Sequence, residues 1–217
     1  MLMFTLVASD AGLGFATSRL LGGLVFSLGL FMVVVAGAEL FTGNNLLAMA
    51  WASGRITSAE LLRNWAVVAA ANLAGAVGLA LLVRLADHGA LNDGAVARTA
   101  VRIATAKVEL SWPVAFFRGV LCNVLVCMAV WLAMAARSVA DKLAAVVLPV
   151  TAFVAAGFEH SIANMYFFPL AMLLGAPITV ADALRNLVPV IAGNIAGGSV
   201  LVALVYWAIY LRPAPAR

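Results

Sequence analysis

The sequence predicts an all-α membrane protein of six helices, arranged as two inverted repeats of three with one broken helix in each repeat. The first observation is composition: apolar residues make up 65% of the chain and charged residues 10%, whereas a soluble domain carries about 25% charged residues. The second is a set of charge-free runs, each about long enough to cross roughly 30 Å of hydrocarbon as a helix. These runs cover residues 20–38, 64–83, 119–136, 160–181 and 186–211. The third observation is internal repetition.

The repetition is clearest in two segments that each carry a carboxylate within apolar sequence. Gly37–Asn44 reads GAELFTGN and Gly157–Asn164 reads GFEHSIAN, so Gly, Glu and Asn keep their places. A charge at membrane depth costs a few kcal/mol, and its return at a matched position indicates two broken helices that face one buried site. A second match, between Leu62–Gly75 and Leu184–Gly197, indicates two homologous halves. Because each half has an odd number of helices, the second half enters the membrane from the opposite side.

Residues 1–85 form the first predicted repeat. Its elements, in order, are a short helix at 1–8, a helix at 18–38, a break at 39–46, a short helix near 46–53 and a helix at 60–85. Met1–Ala8 is apolar but too short to span a bilayer. Because the repeat places the start of its first helix before Met1, we expect the chain to lack part of its first span.

Residues 86–111 form a polar connecting segment, in which Arg98, Arg102 and several alanines suggest a short helix on the membrane surface. Residues 112–211 form the second predicted repeat. Its elements are a helix at 112–135, a helix at 141–157, a break at 158–164, a half-helix at 165–175 and a last helix at 185–211.

Charge and cysteine usage exclude several classes of partner. The net charge is +4 and the pI about 9.6, but the basic residues are scattered and form no run, so we expect no nucleic-acid partner. Cys122 and Cys127 lie within an apolar run and are expected to pack as small hydrophobes. No metal-binding spacing of Cys or His is present, and we expect no metal site and no cofactor.

The polar residues at membrane depth are the candidates for chemistry. His160 is a functional candidate because ionisable residues within a bilayer are rare and its charge changes near neutral pH; a histidine packed in the core is the alternative. Glu39 and Glu159 could carry protons, but we favour structural anchors, because a carboxylate beside a helix break can accept from unpaired N–H groups or from a cation. Asn44 and Asn164 are expected to satisfy backbone groups in the same breaks.

Two further polar residues admit two interpretations each. Lys107 precedes the helix at 112–135, and the residues alone favour an interfacial lysine that snorkels to water. Asn123 lies in the middle of a charge-free run, where it either joins helices by hydrogen bonds or faces a pore. Four apolar residues also admit two interpretations. By periodicity they are core residues, but they could equally form apolar constrictions on either side of a polar centre. They are Phe26, Leu30, Leu40 and Phe153.

The segments GAELFTGNN at 37–45 and GFEHSIANM at 157–165 resemble the two signature segments of the formate/nitrite transporter family. Residues 119–127 and 193–198 also match the fourth and sixth helices of that family, and Ser53–Thr57 looks closest to its formate-channel branch. The resemblance implies an aquaporin-like six-helix protomer with its own pore and a homopentameric ring. It also implies a multi-pass protein of the bacterial inner membrane.

The resemblance assigns roles to individual residues. It implies that His160 is the central pore histidine, Thr42 the threonine of the loop that interrupts the second helix, and Asn123 a pore-facing asparagine. It implies that Lys107 is buried and pairs with Glu159. It assigns Phe26, Leu30 and Val126 to one apolar constriction and Leu40 and Phe153 to the other.

Together these features predict passage of a small monovalent anion, such as formate or nitrite, with proton transfer at His160. Lys107 and the amino termini of the half-helices set up a positive potential, and stripping water from an ion makes the constrictions impassable to it. A proton lent by His160 would let the neutral acid cross.

Three other functions are alternatives. A neutral-solute channel of the aquaporin type would carry paired Asn-Pro-Ala motifs, which this chain lacks. An enzyme that uses Glu159 and His160 as an acid–base pair should supply more polar groups, and no nucleotide signature is present. A metal transporter would need more His, Cys or Asp at membrane depth.

Overall fold

The computed structural model describes residues 1–10 and 12–212, and the regular secondary structure within them is helical throughout. The helices are α1 (Leu2–Ala8), α2 (Phe15–Ala36), α3 (Leu47–Ala52), α4 (Ser58–Leu85), α5 (Ala95–Val108), α6 (Trp112–Ala135), α7 (Val139–Ala155), α8 (Ser161–Leu173) and α9 (Val180–Ile195). Turns of 3-10 type cover Gly43–Leu46 and His88–Ala90, and α9 continues through π-type turns at Ala196–Leu204 and Trp207–Leu211. Within the described residues, α2, α4, α6 and α9 with its continuation are long and apolar enough to cross a membrane.

Local sequence signals set the starts of these helices. Thr57 with Glu60, Ser138 with Asp141, and Thr179 with Asp182 form capping boxes that open α4, α7 and α9. Each box satisfies two of the amide groups that a helix start leaves unpaired. The capping box at Thr179 explains why α9 begins earlier than the predicted residue 185.

Both predicted breaks are present, and each follows a glycine in the left-handed region. α2 ends at Ala36 before Gly37 (φ 75°), and α7 ends at Ala155 shortly before Gly157 (φ 74°). Glycine adopts this conformation at little cost and commonly ends helices. The second break is shorter than predicted, because His160 caps α8 and the helix begins at Ser161 rather than 165.

Helices of the first half pack against helices of the second half. α2 packs against its counterpart α7, α4 of the first half packs against α8 of the second, and the continuation of α9 packs against α3. α6 and α9 approach closely because glycines line their contact: a Cβ on Gly193 or Gly197 would lie 2.2 Å from the carbonyl oxygen of Phe116 or Val120. Small residues at such contacts allow tight packing of helices in lipid.

The connecting helix α5 differs from the surface helix predicted from Arg98 and Arg102, because one of its faces is buried. Val96, Ala100 and Ala104, spaced four residues apart, are buried on one face, while the two arginines are exposed. The buried face is explained by the packing of α5 against α8 and α1. This packing brings the last turn of α5 to the second helix break.

Candidate functional site

The two helix breaks meet at a hydrogen bond between Thr42 and His160. Thr42 Oγ1 lies 3.0 Å from His160 Nε2, and both side chains are buried. His160 is also the N-cap of α8, where its Nδ1 accepts from the backbone N–H of Ala163 at 3.2 Å. A neutral imidazole has one donor and one acceptor nitrogen, so this network assigns the proton to Nε2. Nε2–H then donates to Thr42, whose own hydroxyl proton is left to face another acceptor.

Beside this pair, Lys107 and Glu159 form a buried ion pair. Lys107 Nζ lies 2.7 Å from Glu159 Oε1, and the two side chains are 15% and 4% exposed. The amide of Asn164 donates to Glu159 Oε2 and to Asn186 Oδ1, both at 2.7 Å, and Asn186 donates to the carbonyl of Lys107 at 2.7 Å. The network closes on itself, so Glu159 is anchored from two sides. Lys107 is therefore not the interfacial lysine that the residues alone favoured.

The first half repeats this arrangement without the lysine. The amide of Asn44 donates to the carboxylate of Glu39 and, at 2.9 Å, to Asn64 Oδ1. Glu39 is exposed and forms no ion pair with residues 1–10 or 12–212. The side chains of Asn44 and Asn164 thus donate to carboxylates and to other asparagines, and the prediction that they satisfy backbone groups is wrong.

Two other asparagines satisfy the backbone of the breaks, and sequence reasoning did not single them out. Asn72 accepts from the N–H of Phe41 and donates to the carbonyl of Glu39, both at 3.0 Å. Asn194 accepts from the N–H of Ser161 and donates to the carbonyl of Glu159, again both at 3.0 Å. These asparagines occupy matching places in the second repeated segment, which was the signal that could have found them.

Asn123 ties the first break to the last helix. Its amide nitrogen lies 2.8 Å from Asn45 Oδ1, 2.7 Å from the carbonyl of Asn194 and 3.2 Å from the carbonyl of Thr42. The side chain is fully buried, and it is not among the residues that line the two cavities described next. This geometry is that of a clamp between helices, and a pore-facing role for Asn123 stays a prediction.

Two cavities approach the site from opposite ends of α2, α6 and α7. The smaller, of about 210 Å³, is lined by His160, Lys107 and Glu159 near the amino-terminal ends of α2 and α6. The larger, of about 750 Å³, is lined by Leu40 and Asn44 near their carboxyl-terminal ends. The breaks therefore lie between two openings.

An apolar wall separates the two cavities. Phe26 meets Phe153 edge to face at 5.8 Å between ring centroids, and Phe153 stacks on His160 at 5.9 Å. Both phenylalanines line the smaller cavity, whereas Leu40 lines the larger one. Leu30 and Val126 are buried in the cluster that joins these residues. The structure thus pairs Phe26 with Phe153, and the assignment of these five residues to two constrictions stays a prediction.

Comparison with known proteins gives consistent matches over most of the chain. The sequence model of a family described as formate/nitrite transporter matches residues 1–208. The chain is 42% identical to the formate channel FocA of Escherichia coli (strain K12), covering 91% of this chain and 76% of that protein. It is 41% identical to a probable formate transporter of Methanothermobacter thermautotrophicus, covering 94% of this chain and 80% of that protein.

Solved structures agree with the sequence comparison. A structure described as a pentameric formate channel with formate bound superposes with a TM-score of 0.88 and 39% identity, covering 96% of this chain and 90% of that chain. A second, described as an FNT family ion channel, gives a TM-score of 0.86 and 32% identity, covering 97% of this chain and 84% of that chain.

Proposed function

The chain belongs to the formate/nitrite transporter family, a family of multi-pass membrane proteins, and we propose that it passes small monovalent anions such as formate or nitrite through a pore in each protomer, with proton transfer at His160. The observation that carries the proposal is the buried Thr42–His160 pair, which lies at the junction of two helix breaks between two cavities. We infer a homopentamer in the bacterial inner membrane, because a similar solved structure is described as a pentameric channel.

The apolar wall supports a change in the charge of the substrate during passage. Phe26, Phe153 and Leu40 offer no hydrogen bond to an anion, and an ionised group without its water is very costly in such surroundings. A neutral acid lacks most of that cost. Passage of formate as formic acid therefore fits the wall, whereas passage of hydrated formate does not.

The hydrogen bonds of His160 define a balanced proton path. A proton taken up at Nδ1 replaces the bond from the Ala163 amide and gives an imidazolium. The Nε2 proton then moves to Thr42 Oγ1 while the hydroxyl proton of Thr42 moves to the anion oxygen. The products are the neutral acid, an intact threonine and a neutral imidazole that carries its proton on Nδ1; proton exchange with water then returns the proton to Nε2 and restores the bond from Ala163. After crossing, the acid returns its proton to water in the other cavity.

The test is the pH dependence of formate uptake into proteoliposomes for His160→Asn. Asparagine is a good N-cap residue, so this variant keeps a cap on α8 and removes the titrating ring. We expect the pH dependence of wild-type uptake to exceed the change in the fraction of formic acid in solution, because protonation of a histidine adds to it, and uptake by the variant to follow only that fraction. His88→Asn, in the turn before α5, is the matched control and should behave as the wild type.

Two outcomes contradict the proposal. An unchanged pH profile in His160→Asn removes the histidine from the proton path. Osmotic swelling that admits water or glycerol as readily as formate supports the alternative, a neutral-solute channel of the aquaporin type. The named relatives are described as channels and transporters. The same liposomes also test whether the formate that enters is recovered chemically unchanged, which a channel requires and an enzyme that acts on formate would not give.

A further inference from the structure

The ion pair between Lys107 and Glu159 changes the electrostatics of the smaller cavity. At 2.7 Å the carboxylate offsets the lysine charge, so Lys107 cannot supply by itself the positive potential expected from the sequence. Two other cations line the same cavity, Arg19 from α2 and Arg118 from α6. Neither forms an ion pair with any side chain in the described part of the chain. The net positive charge of this cavity therefore comes from the two arginines.

We propose that Arg19 and Arg118 form an outer binding site for small monovalent anions at the mouth of the cavity that leads to His160. The anion binds at this site before it loses its water, and it then moves toward the Thr42–His160 pair. This inference rests on the proposed function, because it assigns the first binding step of the same passage.

Arg19 lies against the second helix break. Its Nη2 lies 2.6 Å from the position that a Cβ on Gly157 would occupy, so the guanidinium rests on the bare backbone of that glycine. The guanidinium carbon also lies 5.7 Å from the ring centroid of Phe15, within the range of a cation–π contact. Gly157 thus allows both the left-handed turn and the close approach of the Arg19 guanidinium.

One N–H of Arg19 is left without a protein partner. Its Nε is buried and makes no hydrogen bond with the residues that the structure describes. A buried donor without an acceptor is unfavourable, so a shift of the guanidinium that exposed Nε–H to an anion in the cavity would be favoured. The unpaired donor therefore adds to the charge of Arg19 as a reason for an anion to bind here.

Arg118 reaches the same segment from the opposite helix. Its carbonyl oxygen accepts from the N–H of Glu159 at 3.2 Å, which fixes the residue beside the break, and its side chain is exposed at the cavity mouth. Arg19 and Arg118 thus flank residues 157–160 from α2 and α6. An anion in this cavity therefore lies in the electrostatic field of both arginines.

The chemistry of the site favours small planar oxyanions. The guanidinium fork matches the two oxygens of a carboxylate, and the same geometry suits nitrite. Guanidinium is also weakly hydrated, so the anion exchanges water for N–H groups at low cost. A neutral solute such as glycerol gains little from two cations.

The first test measures formate uptake in proteoliposomes for Arg19→Gln, Arg118→Gln and the double variant. We expect the half-saturating formate concentration to rise about three- to tenfold in the double variant, since exposed ion pairs are individually weak, while maximal uptake stays within about twofold. Raising an impermeant salt from about 0.02 M to 0.2 M should slow wild-type uptake at low formate more than uptake by the double variant. Arg98→Gln, the same charge change on the exposed face of α5, is the control.

Charge-keeping variants separate electrostatics from folding. Arg19→Lys and Arg118→Lys should restore most of the wild-type half-saturation. If the lysine variants behave like the glutamine variants, or if the double glutamine variant keeps wild-type half-saturation and salt dependence, the outer site is refuted.

A binding measurement distinguishes failure of this inference from failure of the proposed function. Phenylglyoxal modifies accessible arginines, and mass spectrometry reports the extent at each position. We expect sodium formate, compared with sodium gluconate at equal ionic strength, to protect Arg118 and leave Arg98 unchanged. Protection without formate uptake by the wild type would leave the site standing and refute the transport proposal. Uptake without protection would refute the site alone.

Discussion

Replacing Lys107 by methionine should destabilise the protein strongly through its effect on Glu159. The two side chains are 15% and 4% exposed and their charged atoms are 2.7 Å apart. Loss of the lysine leaves a buried carboxylate whose remaining side-chain donor is Asn164. Removing one partner of a buried ion pair costs about 3–5 kcal/mol, because the other charge stays buried without compensation. We expect Lys107→Met to lose about this much free energy of unfolding.

The double variant Lys107→Met with Glu159→Gln should recover most of the loss. Glutamine is neutral, and its amide oxygen can still accept the bond from Asn164. Replacing a whole buried pair by uncharged side chains is often close to neutral in stability. The pair should therefore show a large coupling energy in a double-mutant cycle.

Thermal unfolding of the purified protein in detergent measures this coupling. For a domain of this size about 1 kcal/mol shifts the midpoint by roughly 2–4 °C, so Lys107→Met should melt about 6–20 °C below the wild type. Lys142→Met removes the other lysine of the chain, which forms no ion pair with any described residue, and should melt within about 2 °C of the wild type. Single variants that both melt like the wild type, or losses that simply add in the double variant, would refute the reasoning.

Three further predictions use the same melting assay or a simpler one. His160→Ala should lose about 1 kcal/mol of stability with the N-cap of α8, whereas His160→Asn should keep most of it; equal losses would show that the cap does not matter. Gly197→Ala should yield little folded protein on gel filtration, because its Cβ would lie 2.2 Å from a backbone oxygen of α6, whereas Gly78→Ala, with no such neighbour within 4 Å, should elute as the wild type. Asn194→Ala should melt lower than Asn72→Ala, since Asn194 is fully buried and its amide also donates to the carbonyl of Gly119 in α6 at 2.9 Å, and each unpaired buried group costs about 1–3 kcal/mol; the reverse order would contradict the hydrogen-bond network.

The architecture could be predicted from the sequence because its signals are local. Composition and the charge-free runs gave the all-helical membrane fold, and Gly37 and Gly157 marked the ends of the two interrupted helices. Helix starts were predicted less well. α9 begins at Val180 and α8 at Ser161, because capping by Thr179 and His160 depends on a few side-chain contacts that hydropathy does not register.

The site was predicted in part. His160 and Glu159 stood out because each is an ionisable residue within apolar sequence. Lys107 did not stand out from the residues alone, since its burial depends on the packing of α5 against α8. The roles of Asn72 and Asn194 were also missed, although the repeat placed both at equivalent positions.

The sequence by itself determined that this chain is a two-fold repeated helical membrane protein with two breaks and a polar residue at each, because hydropathy, charge and glycine act on the segment that carries them. Only the tertiary structure decided which groups meet. Thr42 and His160 are 118 residues apart and Lys107 and Glu159 are 52 apart, and their contacts depend on how the helices cross. Helix periodicity reports the face on which a residue lies, whereas the partner on the next helix depends on packing between distant segments.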